Sequence, residues 1–139
     1  SALAGPKDLI KKARRARKLF GGGMRQAGII ATGALYALEN NVDRLAEDHA
    51  DAQVLADSVR QSEGLALQPE MVDTNILIFH VEPSLGTASE LVDAMRTEGV
   101  LTMAVAPQLI RLVTHLDVDA EQVARAGEVI KQVAGSLAK

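Results

Sequence analysis

Apolar positions recur at helical spacing through the first 63 residues and at strand spacing only after Gly64. Residues 7–19 contain no glycine or proline, and Leu9, Ile10, Ala13, Ala16 and Leu19 form a stripe between Lys and Arg side chains. That is the pattern of an amphipathic helix. Gly21, Gly22 and Gly23 end it, because three successive glycines are entropically costly inside a helix. Residues 24–39 predict a second helix almost free of charge, running through Ala27, Ile29, Ile30, Ala31, Ala34 and Leu35. A helix apolar nearly all round has to be covered on several sides. A chain this short has little material to cover it, which predicts a further domain or a partner subunit. Asn40 and Asn41 mark a break, with Asn41 the expected N-cap of a third helix reaching about residue 63. On that helix Val42, Leu45, Ala46, His49, Ala52, Ala56 and Val59 share one face, and Glu47, Asp48 and Asp51 belong to a solvated one.

After Gly64 the texture changes. Residues 74–81 are β-branched or bulky and apolar and predict a buried strand. Thr87 with Glu90 is a capping box for a helix that stops at Gly99. Residues 100–106 and 110–116 predict strands around the turn at Pro107. Asp119 with Gln122 opens the last helix, whose inward stripe is Val123, Ala126, Ile130, Val133 and Leu137. The order from residue 64 is thus β, α, β, β, α, a small α+β unit with helices on a sheet. Residues 1–5 read as a strand entered partway, with no initiator Met, as in a fragmentary or processed chain.

Composition sharpens this picture. With 139 residues and 47% apolar positions a core is affordable, but at 2% aromatic it must be built from Ala, Val, Leu and Ile. No apolar run approaches the ~18–20 residues that span a bilayer, and no signal-peptide pattern is present. The absence of cysteine excludes disulfides and thiolate metal sites and is compatible with a cytoplasmic protein. A net charge of −3 gives no reason to expect nucleic acid. The cations are nonetheless concentrated: Lys7, Lys11, Lys12, Arg14, Arg15, Arg17, Lys18 and Arg25 are 8 of the 15 Lys and Arg residues.

Two segments carry candidate chemistry. In the first, Lys18 and Arg25 bracket Gly21, Gly22 and Gly23 ahead of a helix. Glycines let backbone N–H groups approach an anion, and a helix N-terminus adds partial positive charge. The spacing matches neither a P-loop nor a dinucleotide fingerprint, and a flexible connector beside a solvated basic face fits the same residues. In the second, residues 109–117, strand alternation puts Arg111, Val113 and His115 on one face and Leu112, Thr114 and Leu116 on the other. An arginine in an apolar strand needs an anion. A bound carboxylate and a structural ion pair both satisfy that need. His49 and His80 read as core histidines, and Asp73-Thr74-Asn75 as a turn that opens a strand. No metal-ligand cluster and no nucleophile–base pair is visible.

Taken in order, Ser-x-Leu-x-Gly, the basic helix, Arg-Lys-x-x-Gly-Gly-Gly-Met-Arg-Gln (residues 17–26), Ala-Leu-x-Asn-Asn-Val-x-Arg-Leu-x-Glu-Asp-His (37–49), Asp-Thr-Asn (73–75) and Arg-Leu-Val-Thr-His-Leu-Asp (111–117) resemble the low-specificity L-threonine aldolases of the fold-type I pyridoxal-phosphate superfamily. The resemblance covers the whole chain. It implies an aspartate aminotransferase-like fold, with residues 1–40 the tail of the large domain and residues 41–139 the small C-terminal α+β domain. It also implies pyridoxal 5'-phosphate as cofactor and cleavage of L-threonine, L-allo-threonine and related β-hydroxy-α-amino acids to glycine and an aldehyde. The implied assembly is a cytoplasmic homo-oligomer, read as a tetramer, with residues 24–39 in or near a subunit interface. The Schiff-base lysine belongs to a Ser-Lys-Gly-Leu-Gly-x-Pro-Val-Gly segment expected immediately before Ser1. This chain is then expected to be inactive alone and to need the N-terminal part of the enzyme, in the same chain or a separate one.

Residue by residue, Arg111 matches the arginine that holds the substrate α-carboxylate. Lys18 and Arg25 match basic residues near the cofactor phosphate, expected to reach a neighbouring subunit's site. Gly21, Gly22, Gly23 and His115 take supporting roles. Ala16 departs from the family, which often has tryptophan there, and this bears on packing rather than chemistry. A related lyase acting on phenylserine or β-hydroxyaspartate, and a non-catalytic α+β interaction module, are the alternatives.

Overall fold

A computed structural model describes residues 3–138, and among them the elements follow the order α1 (Lys7–Leu19), α2 (Ala27–Asn40), α3 (Leu45–Arg60), β1 (Leu65–Leu67), β2 (Ile76–Val81), α4 (Ala88–Thr97), β3 (Met103–Ala106), β4 (Leu109–Val113) and α5 (Ala120–Leu137). They divide into two compact units, Ser1–Arg44 and Leu45–Lys139. The strand read from residues 1–5 falls partly outside the described residues, and residues 3–5 have no regular structure.

In the first unit α1 ends because Gly21 turns left-handed at φ 82°, a conformation that a Cβ would strain. The Gly21 N–H donates to the Lys18 carbonyl at 3.2 Å and the Gly22 N–H to the Arg17 carbonyl at 2.7 Å. These are the paired bonds of a Schellman cap. Met24, Arg25 and Gln26 lie outside α2, which starts at Ala27. Asn41 is not the N-cap of α3. It closes α2 instead, with its N–H on the Ala37 carbonyl at 2.9 Å, and α3 starts only at Leu45. No residue of α1 or α2 is buried, although Ile29, Ile30, Tyr36 and Leu38 are large and apolar. Among the described residues no helix is long and apolar enough to cross a membrane.

The second unit is built on a four-stranded sheet in the order β1-β2-β4-β3, with every neighbouring pair antiparallel. β2 and β3 therefore point the same way with β4 between them, and α4 makes the crossover. Alternation sends Leu77, Phe79, Val81, Ile110 and Leu112 into the core under the helices. Ile76, Met103, Val105 and Val113 stay exposed on the opposite side. β1, three residues long, has no counterpart in the sequence reading. β3 pairs with β4 through a register shift between Ala104 and Ala106. The sheet is antiparallel and the helices lie on one side, so the α+β architecture expected from the order of elements is the one observed.

α3 and α5 pack against each other. They come close at Gly127, where a Cβ would collide with the Ser58 hydroxyl. Asp48 corrects the sequence reading. It is buried rather than solvated, while Leu45 is exposed. Asp48 sits one turn before Ala52 and two turns before Leu55, so it shares the buried arc that runs on through Ala56 and Val59.

Both capping boxes form. Thr87 Oγ1 accepts from the Glu90 N–H at 3.3 Å, and Glu90 Oε2 accepts from the Thr87 N–H at 2.7 Å. At the other, Asp119 Oδ1 accepts from the Gln122 N–H at 2.8 Å, and Gln122 Oε1 accepts from the Asp119 N–H at 3.0 Å. The Thr87 N–H, and after it the Thr87 hydroxyl, hold the Glu90 carboxyl below the usual carboxylate range. A carboxyl whose folded pKa is depressed contributes stability that is present above its unfolded pKa. That contribution is lost as pH falls through the folded value. Protection of the first-turn amides of α4, taken relative to their intrinsic exchange rate at each pH, is therefore expected to hold until the pH drops below the ordinary glutamate range, and then to fall. Glu90→Gln should flatten that profile. An ordinary glutamate midpoint for Glu90 by NMR titration would contradict the cap.

Candidate functional site

β4 lies between β2 and β3, so a side chain at its centre has a neighbour on either hand. Arg111 is that residue: its Cα partners are Ile78 on β2 and Met103 on β3. It projects from the exposed side of the sheet, among apolar side chains. Its Nε is buried with no hydrogen-bond partner. Its Nη2 donates only to the Met103 sulfur, at 3.9 Å. Among the described residues no carboxylate pairs with it. Among the described residues the structural ion pair, the alternative left open by the sequence, is not formed.

The backbone around Arg111 is held firmly. Thr102 Oγ1 donates to the Arg111 carbonyl at 2.8 Å. Thr114, buried on the core side, donates through Oγ1 to the Asp48 carbonyl at 2.6 Å. Asn75 exchanges two bonds with Thr114: its Nδ2 donates to the Thr114 carbonyl at 2.7 Å, and its carbonyl accepts the Thr114 N–H at 3.0 Å. The Asp73-Thr74-Asn75 turn therefore fastens the end of β4 beside Arg111. A buried hydroxyl and amide satisfied in this way restrict the strand to one position.

Arg111 and His115 line one cavity of about 760 Å³ in the second unit, together with Leu101, Met103, Gln122 and Arg125. His115 Nδ1 accepts from the Asp117 N–H at 3.3 Å and lies 3.5 Å from the Asp117 carboxylate. It closes its own turn and makes no bond to Arg111. His49 and His80 are half-buried. Among the described residues no group of three or more His, Asp or Glu is placed to hold a metal ion.

In the first unit, Lys18 and Arg25 flank the glycine run on exposed positions with no acidic partner among the described residues. Two of the three glycine amides are taken up by the cap of α1. Of the three glycine amides, the Gly23 N–H is the one left for an anion, beside two cations. Met103 and Thr102 have no place in the sequence reading of the site. Strand alternation puts Met103 on the exposed side, but its pairing with Arg111 depends on a register that only the folded sheet specifies.

Residues 1–84 match the family model described as beta-eliminating lyase. The low specificity L-threonine aldolase of Escherichia coli strain K12 is 44% identical over 124 residues, which are 89% of this chain and 35% of that protein. The probable low-specificity L-threonine aldolase 2 of Arabidopsis thaliana is 40% identical over 135 residues, 94% of this chain and 38% of that protein. The chain thus spans little more than a third of the length of these curated relatives. Among solved structures, ornithine delta-aminotransferase of Plasmodium falciparum superposes with a TM-score of 0.55 at 16% identity, over 68% of this chain and 25% of that one, a likeness of fold. With more than half its length matched by one model, and relatives 44% and 40% identical to it across 89% and 94% of its length, this chain belongs to the beta-eliminating lyase family.

Proposed function

We propose that this chain is the part of a low-specificity L-threonine aldolase that receives the substrate's α-carboxylate. One observation carries the reading: the Arg111 guanidinium lines a cavity, backed by a braced strand, with its Nε orphaned and no carboxylate paired to it among the described residues. A planar fork of donors matches a carboxylate bidentately. The half-buried Ile78 beside Arg111 on β2 lowers the local dielectric on that side and so strengthens the pair. Once the carboxylate is gripped, the bond between Cα and Cβ is fixed in direction. Pyridoxal 5'-phosphate, when bound, supplies the electron sink for breaking that bond.

The residues present fit that cofactor's anionic end. Lys18, Arg25 and the Gly23 N–H have no partner among the described residues, and a point-charge ammonium, a guanidinium fork and a backbone amide are donors that a phosphate accepts. His115 supports the site by closing the turn that follows β4. Residues 1–40 are the tail of the large domain and residues 41–139 the small domain of the whole enzyme. The lysine that holds the cofactor belongs to the N-terminal part, supplied in the same chain or by a companion. The exposed apolar surface of α2 fits a subunit interface in a cytoplasmic homo-oligomer, a tetramer by family resemblance.

The test is direct. Protein expressed with the residues encoded before Ser1 is expected to release acetaldehyde and glycine from L-threonine, and the 139-residue chain alone to release none. A cofactor-loaded protein that leaves every β-hydroxy-α-amino acid intact, phenylserine and β-hydroxyaspartate included, would refute the reading.

A further inference from the structure

Among the described residues the one side-chain acceptor bonded to the Arg111 guanidinium is the thioether of Met103. A thioether is a weak acceptor. It steadies the guanidinium without satisfying it, and Nε is left buried and unbonded. Met103 faces Arg111 in the β3–β4 register, lines the same cavity and is 54% exposed. We propose that Met103 is a positioning residue for the Arg111 guanidinium, and that oxidation of its sulfur by a peroxide shuts the carboxylate receptor. This rests on the reading of Arg111 given above.

The step balances. A lone pair on sulfur attacks one oxygen of hydrogen peroxide, and the S–O bond forms as the O–O bond breaks. The departing hydroxide takes the remaining proton and leaves as water. Sulfur is oxidised to the sulfoxide and the peroxide is reduced. An oxygen formed on the lone pair that faces Nη2 is strongly dipolar and stands between the sulfur and the guanidinium. It accepts the hydrogen bonds that an incoming carboxylate requires. The thioether positions and the sulfoxide competes, so one atom separates an open receptor from an occupied one.

The other methionines provide controls. Met95 is fully buried, and Met24 and Met71 are exposed but line no part of this cavity.

The experiment treats the chain with graded hydrogen peroxide and maps sulfoxide at each of the four methionines by peptide mass spectrometry. The rate at which phenylglyoxal, an arginine-selective dicarbonyl, modifies Arg111 is measured before and after. Oxidation of Met103 is expected to slow that modification about tenfold, as one new hydrogen bond to a charged group predicts. Methionine sulfoxide reductase should restore the rate. A Met103→Leu chain should keep its Arg111 reactivity under peroxide while Met24 and Met71 oxidise. In the assembled enzyme the same oxidation should raise KM for L-threonine and leave kcat nearly unchanged. Unchanged Arg111 reactivity with Met103 fully oxidised overturns the proposal, as does a Met103→Leu chain that responds like the native one. An Arg111→Lys enzyme with unaltered KM overturns instead the carboxylate reading on which the proposal rests.

Discussion

Replacing Arg111 by alanine in the assembled enzyme is expected to cut kcat/KM for L-threonine by about 100- to 1,000-fold, equivalent to about 3–4 kcal/mol. Most of the loss should appear in KM, because the fork grips the carboxylate in the ground state as well as in the transition state. Cofactor retention, read from its absorbance, should change little, since Arg111 is assigned to substrate and not to phosphate. The size follows from the surroundings. Nε is already shielded from water, and Nη2 has only a thioether, so a bound carboxylate meets donors that have nothing better to bond. Arg111→Lys keeps the charge but loses the planar pair of donors, and should recover only part of the deficit. Equal loss of cofactor and substrate binding in the alanine variant would point to damage to the fold rather than to a receptor.

Phe79→Ala is expected to destabilise the second unit by about 3–5 kcal/mol, a large fraction of the ~5–15 kcal/mol that holds a typical domain together. Phe79 is fully buried at the centre of β2, opposite Ile110 on β4 and Leu67 on β1. The chain has only two phenylalanines and one tyrosine, and Phe20 and Tyr36 are exposed. No second ring can move into the gap. Aliphatic side chains held by the sheet register fill it poorly, so most of the cavity persists. In urea the midpoint should fall with little change in the slope, because the surface exposed on unfolding is nearly the same. A loss below about 1 kcal/mol would mean that this core collapses around the missing ring.

Local signals were the most legible in the sequence. Thr87 with Glu90 and Asp119 with Gln122 close their capping boxes where the spacing predicts, because each box needs only residues three apart. The alternation that separates Arg111 from Leu112 and Thr114 is equally local, and it holds. Four things lay beyond that reach. β1 is too short to display alternation, and exists because β2 offers it a ladder. The burial of Asp48 was hidden because Val42, Leu45 and Ala46 draw the apolar arc of α3 to one side, while the fold brings the Asp48 carbonyl onto the buried Thr114 hydroxyl. The glycine run suits an anion cradle and a helix cap alike, and which amides are engaged is a question of hydrogen bonds that composition does not answer. The Met103–Arg111 pair belongs with these, since the irregular pairing between β3 and β4 sets which residues meet.

That irregular pairing has a consequence at the rims of the sheet. β3 forms one rim, four residues long and bulged, and β1 forms the other with three. A foreign strand approaching either side finds too few regularly spaced backbone donors and acceptors to copy. Although Ile76, Met103, Val105 and Val113 leave the unit adhesive on its open face, misassembly there should yield amorphous clusters that disperse on dilution, and not the templated cross-β growth of a fibril.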